Sequence, residues 1–362
     1  MSVVSVSMPQ STPRRETLHE DLKLCYQAVT DIHGSGTMIR RILLLFCLLA
    51  PVLSAGPAAA EPLALTVKPL PLNSENPAQA TLDGLTWRGS LEITADNPRF
   101  GSLSGLLLEP EGDRLLAVTD AGHWVSARIR LDDEGFLVGL EDAEIHPLRD
   151  GDNRALASKR AGDAESLARL HDGTTLVAFE QAHRIWRYPA GAGGLGRPAQ
   201  PFPAPPGLDR LRDNGGLEAL TELPGGRLLV VAEHGGDTPT LPGYLWQQGR
   251  WSELALRRRA RYRPTGAAIL PSGDVLLLER RFSVLGGLAA SLRRLPLAEI
   301  ETGATLEGEV LAELHPPLVY DNMEGIAARA EPGGGVRIYL VSDDNFNPFQ
   351  RTVLISLLLE AE

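Results

Sequence analysis

Carboxylate side chains recur along this chain at the ends of short apolar segments. Glu165, Glu218 and Glu324 each stand just before or within the start of such a segment, and a further acid follows the next segment. Carboxylates that converge on a narrow space repel one another, so they tend to hold protons or to bind a cation. Taken singly, each is also an ordinary solvated loop position. The acids in this pattern are Glu165, Glu218, Glu324, Asp120, Glu180, Glu233, Glu279 and Asp343.

The segments that must position these acids form a repeat. Each copy has an apolar strand, a tight turn containing Gly, and a second apolar strand, and successive copies start roughly 50 residues apart, about the length of a propeller blade. Because a hairpin reverses the chain, the residue before its first strand and the residue after its second lie at one end. The sequence therefore predicts an all-β propeller with the acids at one mouth of its channel. The copies start at Ser104, Glu165, Glu218, Thr265 and Glu324.

Five copies predict five blades, and a sixth, degenerate blade in the N-terminal lead remains an alternative. The fifth copy is followed by a single strand at 351–359, so the strand predicted at 85–94 is expected to complete that blade from the N-terminus. This closure removes two exposed sheet edges. We expect residues 85–362 to form the propeller, 61–84 an irregular lead, and 1–37 an extension that is not native.

Residues 38–60 have the three parts of a secretory signal peptide. A basic start at Met38-Ile-Arg-Arg41 precedes an apolar run that ends at Leu53, and Ala58-Ala-Ala60 offers a cleavage site. The apolar run is too short to span a membrane. We therefore expect a periplasmic or secreted protein. Cys25 and Cys47 both precede the cleavage site, so the mature protein has no disulfide.

Composition restricts the partners and the chemistry. The formal net charge is −11, which makes nucleic acid and anionic membrane surfaces poor partners. The sequence lacks G-x-S-x-G, a Walker loop, H-E-x-x-H and paired C-x-x-C motifs. A closed ring with a single-sign net charge is expected to be a monomer. Its expected partner is a small anionic substrate or ligand.

Basic residues enter the same mouth from two loops and one strand end. The loop 148–164 carries Arg154 and Lys159, and the segment 257–263 carries five arginines. Arg280 and Arg281 follow the second strand of the fourth copy. Such groups would hold an anionic substrate such as a phosphate ester, although a solvated charged loop is the alternative for each loop.

Several short motifs, in this order and placement, resemble the phytase-like family, often described as "esterase-like activity of phytase". The resemblance covers roughly residues 85–359, nearly the whole mature chain. It implies a secreted or periplasmic bacterial β-propeller with a hydrolase label and a poorly defined substrate. Related β-propeller phytases hold calcium with acidic clusters at one face. The motifs are Phe100-Gly-Ser-Leu-Ser-Gly-Leu, Asp163-Ala-Glu-Ser166, Asn214-Gly-Gly-Leu-Glu-Ala219, Leu278-Glu-Arg-Arg281, Asn322-Met-Glu-Gly-Ile326 and Val341-Ser-Asp-Asp-Asn-Phe.

The first functional hypothesis is a metal-assisted hydrolase that acts on a phosphate or related ester. A bound cation would neutralise the substrate and lower the pKa of a water molecule for attack. The expected Ca²⁺ ligands are Glu165, Glu218, Glu324, Asp343, Asp344 and Asn345. The expected catalytic residues are Glu218, His234, Arg280 and Arg281. The expected substrate-binding residues are Arg154, Lys159, Arg280 and Arg281.

Two alternatives stay open. In a binding propeller without catalysis, the acids would pair with Arg280, Arg281 and Arg154, and no metal would be needed. Aromatic residues expected at the rim would then contact the ligand: Trp124, Phe282 and Phe346. A calcium-dependent lactonase would share the metal and differ in its substrate.

Overall fold

The computed structural model describes residues 60–156, 158–190, 194–236, 238–283 and 287–360. The expected extension 1–37 and the expected signal peptide, apart from Ala60, lie outside these residues. In the described part of the chain, no helix is long and apolar enough to cross a membrane.

Five small sheets form five blades around a central channel, which confirms the predicted propeller. The innermost strand of each sheet contacts the innermost strands of both neighbouring sheets, so the ring is closed. In chain order the strands are β1 (Glu61–Pro62), β2 (Leu65–Leu70), β3 (Thr81–Leu82), β4 (Leu85–Ala95), β5 (Leu103–Leu108), β6 (Arg114–Thr119), β7 (His123–Leu131), β8 (Leu137–Pro147), β9 (Ala164–Arg169), β10 (Thr175–Phe179), β11 (Arg184–Tyr188), β12 (Gln200–Phe202), β13 (Leu217–Leu223), β14 (Arg227–Ala232), β15 (Thr240–Gln247), β16 (Arg250–Arg257), β17 (Arg263–Ile269), β18 (Val275–Ser283), β19 (Gly287–Leu295), β20 (Thr305–Leu306), β21 (Glu309–Leu314), β22 (Asn322–Ala330), β23 (Val336–Asp343) and β24 (Thr352–Leu359).

Each blade begins at the channel and is built outward from its hairpin. From the channel outward, the strand orders are β5-β6-β7-β8-β1, β9-β10-β11-β12, β13-β14-β15-β16-β20, β17-β18-β19-β21 and β22-β23-β24-β4-β2, and β3 pairs with β4. The inner strands are buried on both faces, which is why β14 reads as the continuous apolar run Leu228-Leu-Val-Val-Ala232. The helical elements within the described residues are short: a single helical turn, α1 (Lys159–Gly162), and 3-10 turns at Gly194–Gly196, Leu208–Arg210 and Leu297–Glu299.

The N-terminal strand closes the fifth blade, as the sequence predicted. β4 pairs antiparallel with β24, with Ile93 opposite Thr352 and Leu91 opposite Leu354. The lead 61–84 is less irregular than expected, because it contributes β1, β2 and β3. Leu65 and Val67 alternate with polar residues and pack on the core between the first and fifth blades. The prolines around these short strands hid that alternation in the sequence.

One aromatic residue expected at the rim lies in the core instead. Trp124 is fully buried and packs edge-on against Tyr188, with ring centroids 5.1 Å apart. As the second residue of β7, its side chain faces the apolar layer between the first two blades. Phe282 and Phe346 are exposed, as expected.

Candidate functional site

A β-bulge interrupts the innermost strand of every blade at the same end of the channel. In each bulge, two residues face a single residue of the neighbouring strand, and such a bulge re-aims the side chains that it contains. The first residue of each bulge therefore occupies an equivalent position, and we call these five the bulge ring. The bulge ring consists of Ser104, Glu165, Glu218, Thr265 and Glu324.

A second ring follows the strand that pairs with each innermost strand. In the second strand of each blade, one residue faces the bulge. The position two residues further along the chain lies at or near the end of that strand, and we call these five positions the strand-end ring. Arg280 occupies this position in the fourth blade, whereas the sequence interpretation placed Glu279 there, one residue off. Glu279 instead pairs with the buried Arg293 at 2.7 Å, inside its own blade. The strand-end ring consists of Asp120, Glu180, Glu233, Arg280 and Asp343.

Arg280 is the basic member of the two rings and lies among their acids. Its Nε is 2.7 Å from Oε1 of Glu324, and its Nη2 is 3.4 Å from Oε1 of Glu233. Burial would lower the pKa of Arg280, but Glu324, Glu233 and the neighbouring acids outweigh it and raise that pKa. The guanidinium therefore stays charged and neutralises part of the acidic mouth.

Three carboxylates come together between the first and second blades, and we call them the first triad. Asp120, Asp163 and Glu165 offer oxygen atoms that all lie within 4.8 Å of one another. Lys159 bridges two of them, with its Nζ 3.0 Å from Asp120 and 2.7 Å from Asp163. Ser158 caps α1, the short helix that carries this lysine into the site. The first triad thus has an internal cation.

The second triad lies between the second and third blades. Glu180, Glu218 and Glu233 are all buried, and their oxygen atoms lie within 4.8 Å of one another. The backbone N–H groups of Gly215 and Gly216 both donate to Oε1 of Glu180. Gly215 has a φ of 146°, and a Cβ there would lie 2.7 Å from the Cβ of His234, so this approach requires glycine.

The acids at the mouth retain protons more readily than isolated carboxyls. Burial, and then the neighbouring carboxylates, raise the pKa of Glu165 and of Glu218 well above the usual range. Burial also raises the pKa of Glu324 to about 8, although Arg280 opposes this, and the pKa of Asp343 to about 7, with Asp120 adding to the effect. At neutral pH these groups gain from holding a proton or a cation.

Two residues expected to bind metal, Asp344 and Asn345, also form hydrogen bonds within the chain. Asp344 accepts from the backbone N–H of Ser102 at 2.8 Å and from the Thr352 hydroxyl at 2.9 Å, so it fastens the fifth blade to the first. The backbone N–H of Asn345 donates to Asp343 at 2.6 Å, and its side chain donates to Gln350 at 3.3 Å. Both therefore support the mouth from its edge.

The remaining residues expected to bind substrate are divided between the mouth and the solvent. Arg154 is exposed and pairs with the exposed Asp152 at 2.9 Å. The guanidinium carbon of Arg281 lies 5.4 Å from the centre of the Tyr262 ring. His234 lines a cavity beside Glu233, and burial together with Arg263 lowers its pKa, so the imidazole is neutral at pH 7.

A cavity opens beside each triad. The larger, about 680 Å³, is bordered by Asp120, Lys159, His123 and Asn345. The other, about 520 Å³, is bordered by Glu233, His234 and several arginines that include Arg280 and Arg281.

Sequence reasoning left out one acid of the first triad. Asp163 stands two residues before Glu165, and its carboxylate also accepts from Gln181 at 2.6 Å. Its place is defined by a backbone hydrogen bond of the folded chain. The N–H of Glu180 donates to the carbonyl of Asp163 at 2.8 Å, just as the N–H of Glu233 donates to the carbonyl of Gly216. Asp163 therefore occupies the position of Gly216 in the next blade.

Comparisons with known proteins agree with this architecture. The sequence model of the phytase-like family, described as esterase-like activity of phytase, matches residues 98–346. No match was found among curated proteins.

Among solved structures, the chain is similar to a protein of unknown function from Dyadobacter fermentans, with 13% identity and a TM-score of 0.42, covering 82% of this chain and 91% of that one. It is also similar to a gluconolactonase of Xanthomonas campestris, with 12% identity and a TM-score of 0.39 over 83% and 97% of the two chains. A third similar structure is a virginiamycin B lyase of Staphylococcus aureus, with 12% identity and a TM-score of 0.37 over 78% and 84%. Likenesses of this size carry no information on function.

Proposed function

Because the chain belongs to the phytase-like family, we propose that it is a hydrolase that cleaves a phosphate or related ester with the help of a metal ion at the mouth of the channel. The observation that carries this proposal is the second triad, in which three buried carboxylates share one small space. Carboxylates in that arrangement are stable when a proton or a cation lies between them.

The second triad fits a hard cation such as Ca²⁺. Two oxygens that bind the same Ca²⁺ at 2.3–2.6 Å lie at most about 5 Å apart, and the triad oxygens lie within 4.8 Å of one another. Glu180, Glu218 and Glu233 would hold the ion, and Glu165 is a further acid whose charge raises the pKa of Glu218. Calcium is proposed on the chemistry of these oxygen ligands.

A bound cation supplies Lewis acidity toward an ester oxygen and a water molecule. The chain's own groups supply the rest. Arg280 carries a permanent charge beside Glu233 and Glu324, where it would orient an anionic substrate oxygen. Glu165, which is partly exposed and has a raised pKa, can hold a proton near neutral pH and deliver it to a leaving group. Neutral His234, beside Glu233, can accept one.

A binding propeller without catalysis would need the chain's own cations to neutralise the acids. Lys159 does this for the first triad and Arg280 for Glu233 and Glu324. Glu218, however, makes no ion pair with a basic side chain among the described residues. That difference favours an external cation at the second triad. The sequence of 38–60 further supports the proposal that the protein is exported to the periplasm or the medium.

Glu218→Gln tests this proposal. Calcium titration of chelator-treated protein by calorimetry is expected to show saturable binding that Glu218→Gln abolishes, because the variant removes one charged ligand. Hydrolysis is measured on phosphomonoesters, phosphodiesters, carboxyl esters and lactones, and is expected to fail in the same variant. Glu141→Gln, an exposed acid of the first blade, is the matched control. An unchanged calcium titration in Glu218→Gln would contradict the proposal.

A further inference from the structure

The arginine-rich segment 257–263 divides into two groups according to what its side chains contact. Arg257 lies 3.4 Å from Glu307, and Arg259 lies 2.6 Å from Glu313. These two are engaged with acids of the fourth blade and its neighbourhood. Arg258, Arg261 and Arg263, by contrast, border the 520 Å³ cavity beside the second triad.

This cavity, which we call the arginine pocket, concentrates positive charge in an acidic protein. The whole chain has a formal net charge of −11, yet five arginines border the pocket. Among the described residues that border it, Glu233 is the one carboxylate, and Arg263 and Arg280 share it at 3.4 Å each. Like charges held together in this way are stabilised by an anion. The arginines are Arg258, Arg261, Arg263, Arg280 and Arg281.

Contacts with neutral groups hold two of these arginines in place. Arg258 donates from Nη2 to the carbonyl of Gly236 at 2.8 Å. Arg281 lies over the ring of the buried Tyr262, a cation–π arrangement. Because the carbonyl and the aromatic ring carry no net charge, neither contact neutralises the guanidinium. Arg261 makes no ion pair or hydrogen bond with another described residue, so its donors face the solvent.

We propose that the arginine pocket binds a phosphate group, either free or as part of the substrate ester. Arginine matches phosphate oxygens with paired N–H donors, and several such pairs can act on one tetrahedral group. Phe282 also borders the pocket and is 63% exposed, so it would contact an apolar body attached to that phosphate. The inference deepens the proposed function, because it assigns the anionic part of the substrate to this pocket and leaves the metal to the second triad.

Phosphate binding is tested on metal-free protein, so that the result does not depend on the proposed hydrolysis. Calorimetric titration of chelator-dialysed protein with inorganic phosphate at low salt is expected to give one saturable site that weakens as salt is added. Arg258→Ala combined with Arg261→Ala is expected to weaken it by about tenfold or more, since charged hydrogen bonds are lost. Both positions are on a surface loop, and circular dichroism checks the fold. Arg130→Ala, an exposed arginine of the first blade, is expected to bind as the wild type does.

Two further titrations identify the ligand chemistry. Phenyl phosphate is expected to bind more tightly than inorganic phosphate, and Phe282→Ala is expected to remove that advantage. Acetate is expected to bind at least tenfold more weakly than phosphate. The proposal is overturned if metal-free wild type shows no saturable phosphate binding, if the double variant binds as the wild type does, or if acetate competes equally well. If the wild type binds phosphate but does not bind calcium, only the proposed metal-assisted hydrolysis is refuted.

Discussion

The two triads contain the same kind of side chain and differ in what neutralises them. In the first triad, Lys159 reaches two of the three acids from its short helix. In the second triad, Glu180 accepts from backbone N–H groups, and Glu233 lies 3.4 Å from two arginines. Glu218 lies among acidic neighbours, which raise its pKa. Converging carboxylates therefore do not by themselves indicate a metal site. What matters is whether the chain already supplies a cation.

The largest expected effect on stability comes from removing Arg280, the basic residue of the strand-end ring. Arg280→Ala leaves Glu324 without its partner and Glu233 with Arg263 alone, and breaking a buried pair in this way costs about 3 kcal/mol of unfolding free energy. Urea unfolding at pH 7.5 measures it. The loss is expected to shrink at pH 5, because Glu324, with its pKa raised to about 8, is then protonated. Arg280→Lys, which keeps a charge, is expected to recover part of the stability. A variant as stable as the wild type would show that Arg280 is not the counterion of this region.

A smaller effect is expected from pH. The pKa of Glu324 is raised to about 8 and that of Asp343 to about 7, so the folded protein binds more protons than the unfolded chain once pH exceeds the ordinary carboxyl range. The stability from these two groups is therefore complete at acidic pH and is lost as pH rises through 7 and 8. Thermal unfolding of metal-free protein is expected to show a falling Tm over this interval. Added Ca²⁺ is expected to offset the fall, and a Tm that rises from pH 5 to 8 without metal would contradict the assignment.

The smallest effect on stability, and the sharpest test of the comparison, comes from Lys159→Met. The lysine side chain is 59% exposed, so its loss is expected to cost about 1 kcal/mol or less. The first triad then has no basic side chain that bridges its acids, as in the second triad, where Arg263 and Arg280 contact Glu233 but bridge no two acids of the triad. Calcium titration is expected to show one more binding site than in the wild type, whereas Lys159→Arg is expected to keep the wild-type stoichiometry. An unchanged stoichiometry in Lys159→Met would mean that the first triad fails to bind metal for another reason.

The sequence contained the architecture and much of the mouth. The repeated hairpins predicted five blades, and the missing outer strand of the last copy predicted the closure by β4. The bulges made Glu165, Glu218 and Glu324 equivalent, as their place in the repeat had indicated. These features follow from local patterns that recur in every blade.

The remainder required three-dimensional information. Counting acids placed Glu279 in the strand-end ring, but a shift of one residue in a strand turns the side chain to the opposite face, and Arg280 is the residue that faces the channel. The contacts of Asp344 with Ser102 and Thr352, which lie far apart in the sequence, likewise appear only in the folded chain. In the segment 257–263, only the structure shows that Arg257 and Arg259 pair with acids, whereas Arg258 and Arg261 border the arginine pocket.

The pairing of β4 with β24 also affects how the protein acquires its structure. Ile93 and Thr352 are partners across almost the entire length of the ring. Contacts between such distant positions are slow to form, because the intervening chain must first be brought into order. The last blade is thus completed only after ribosomes have made β24, and until then its neighbours expose unpaired strand edges. Ending the chain before Thr352 would remove β24 and leave β23 and β4 with unpaired edges that invite aggregation.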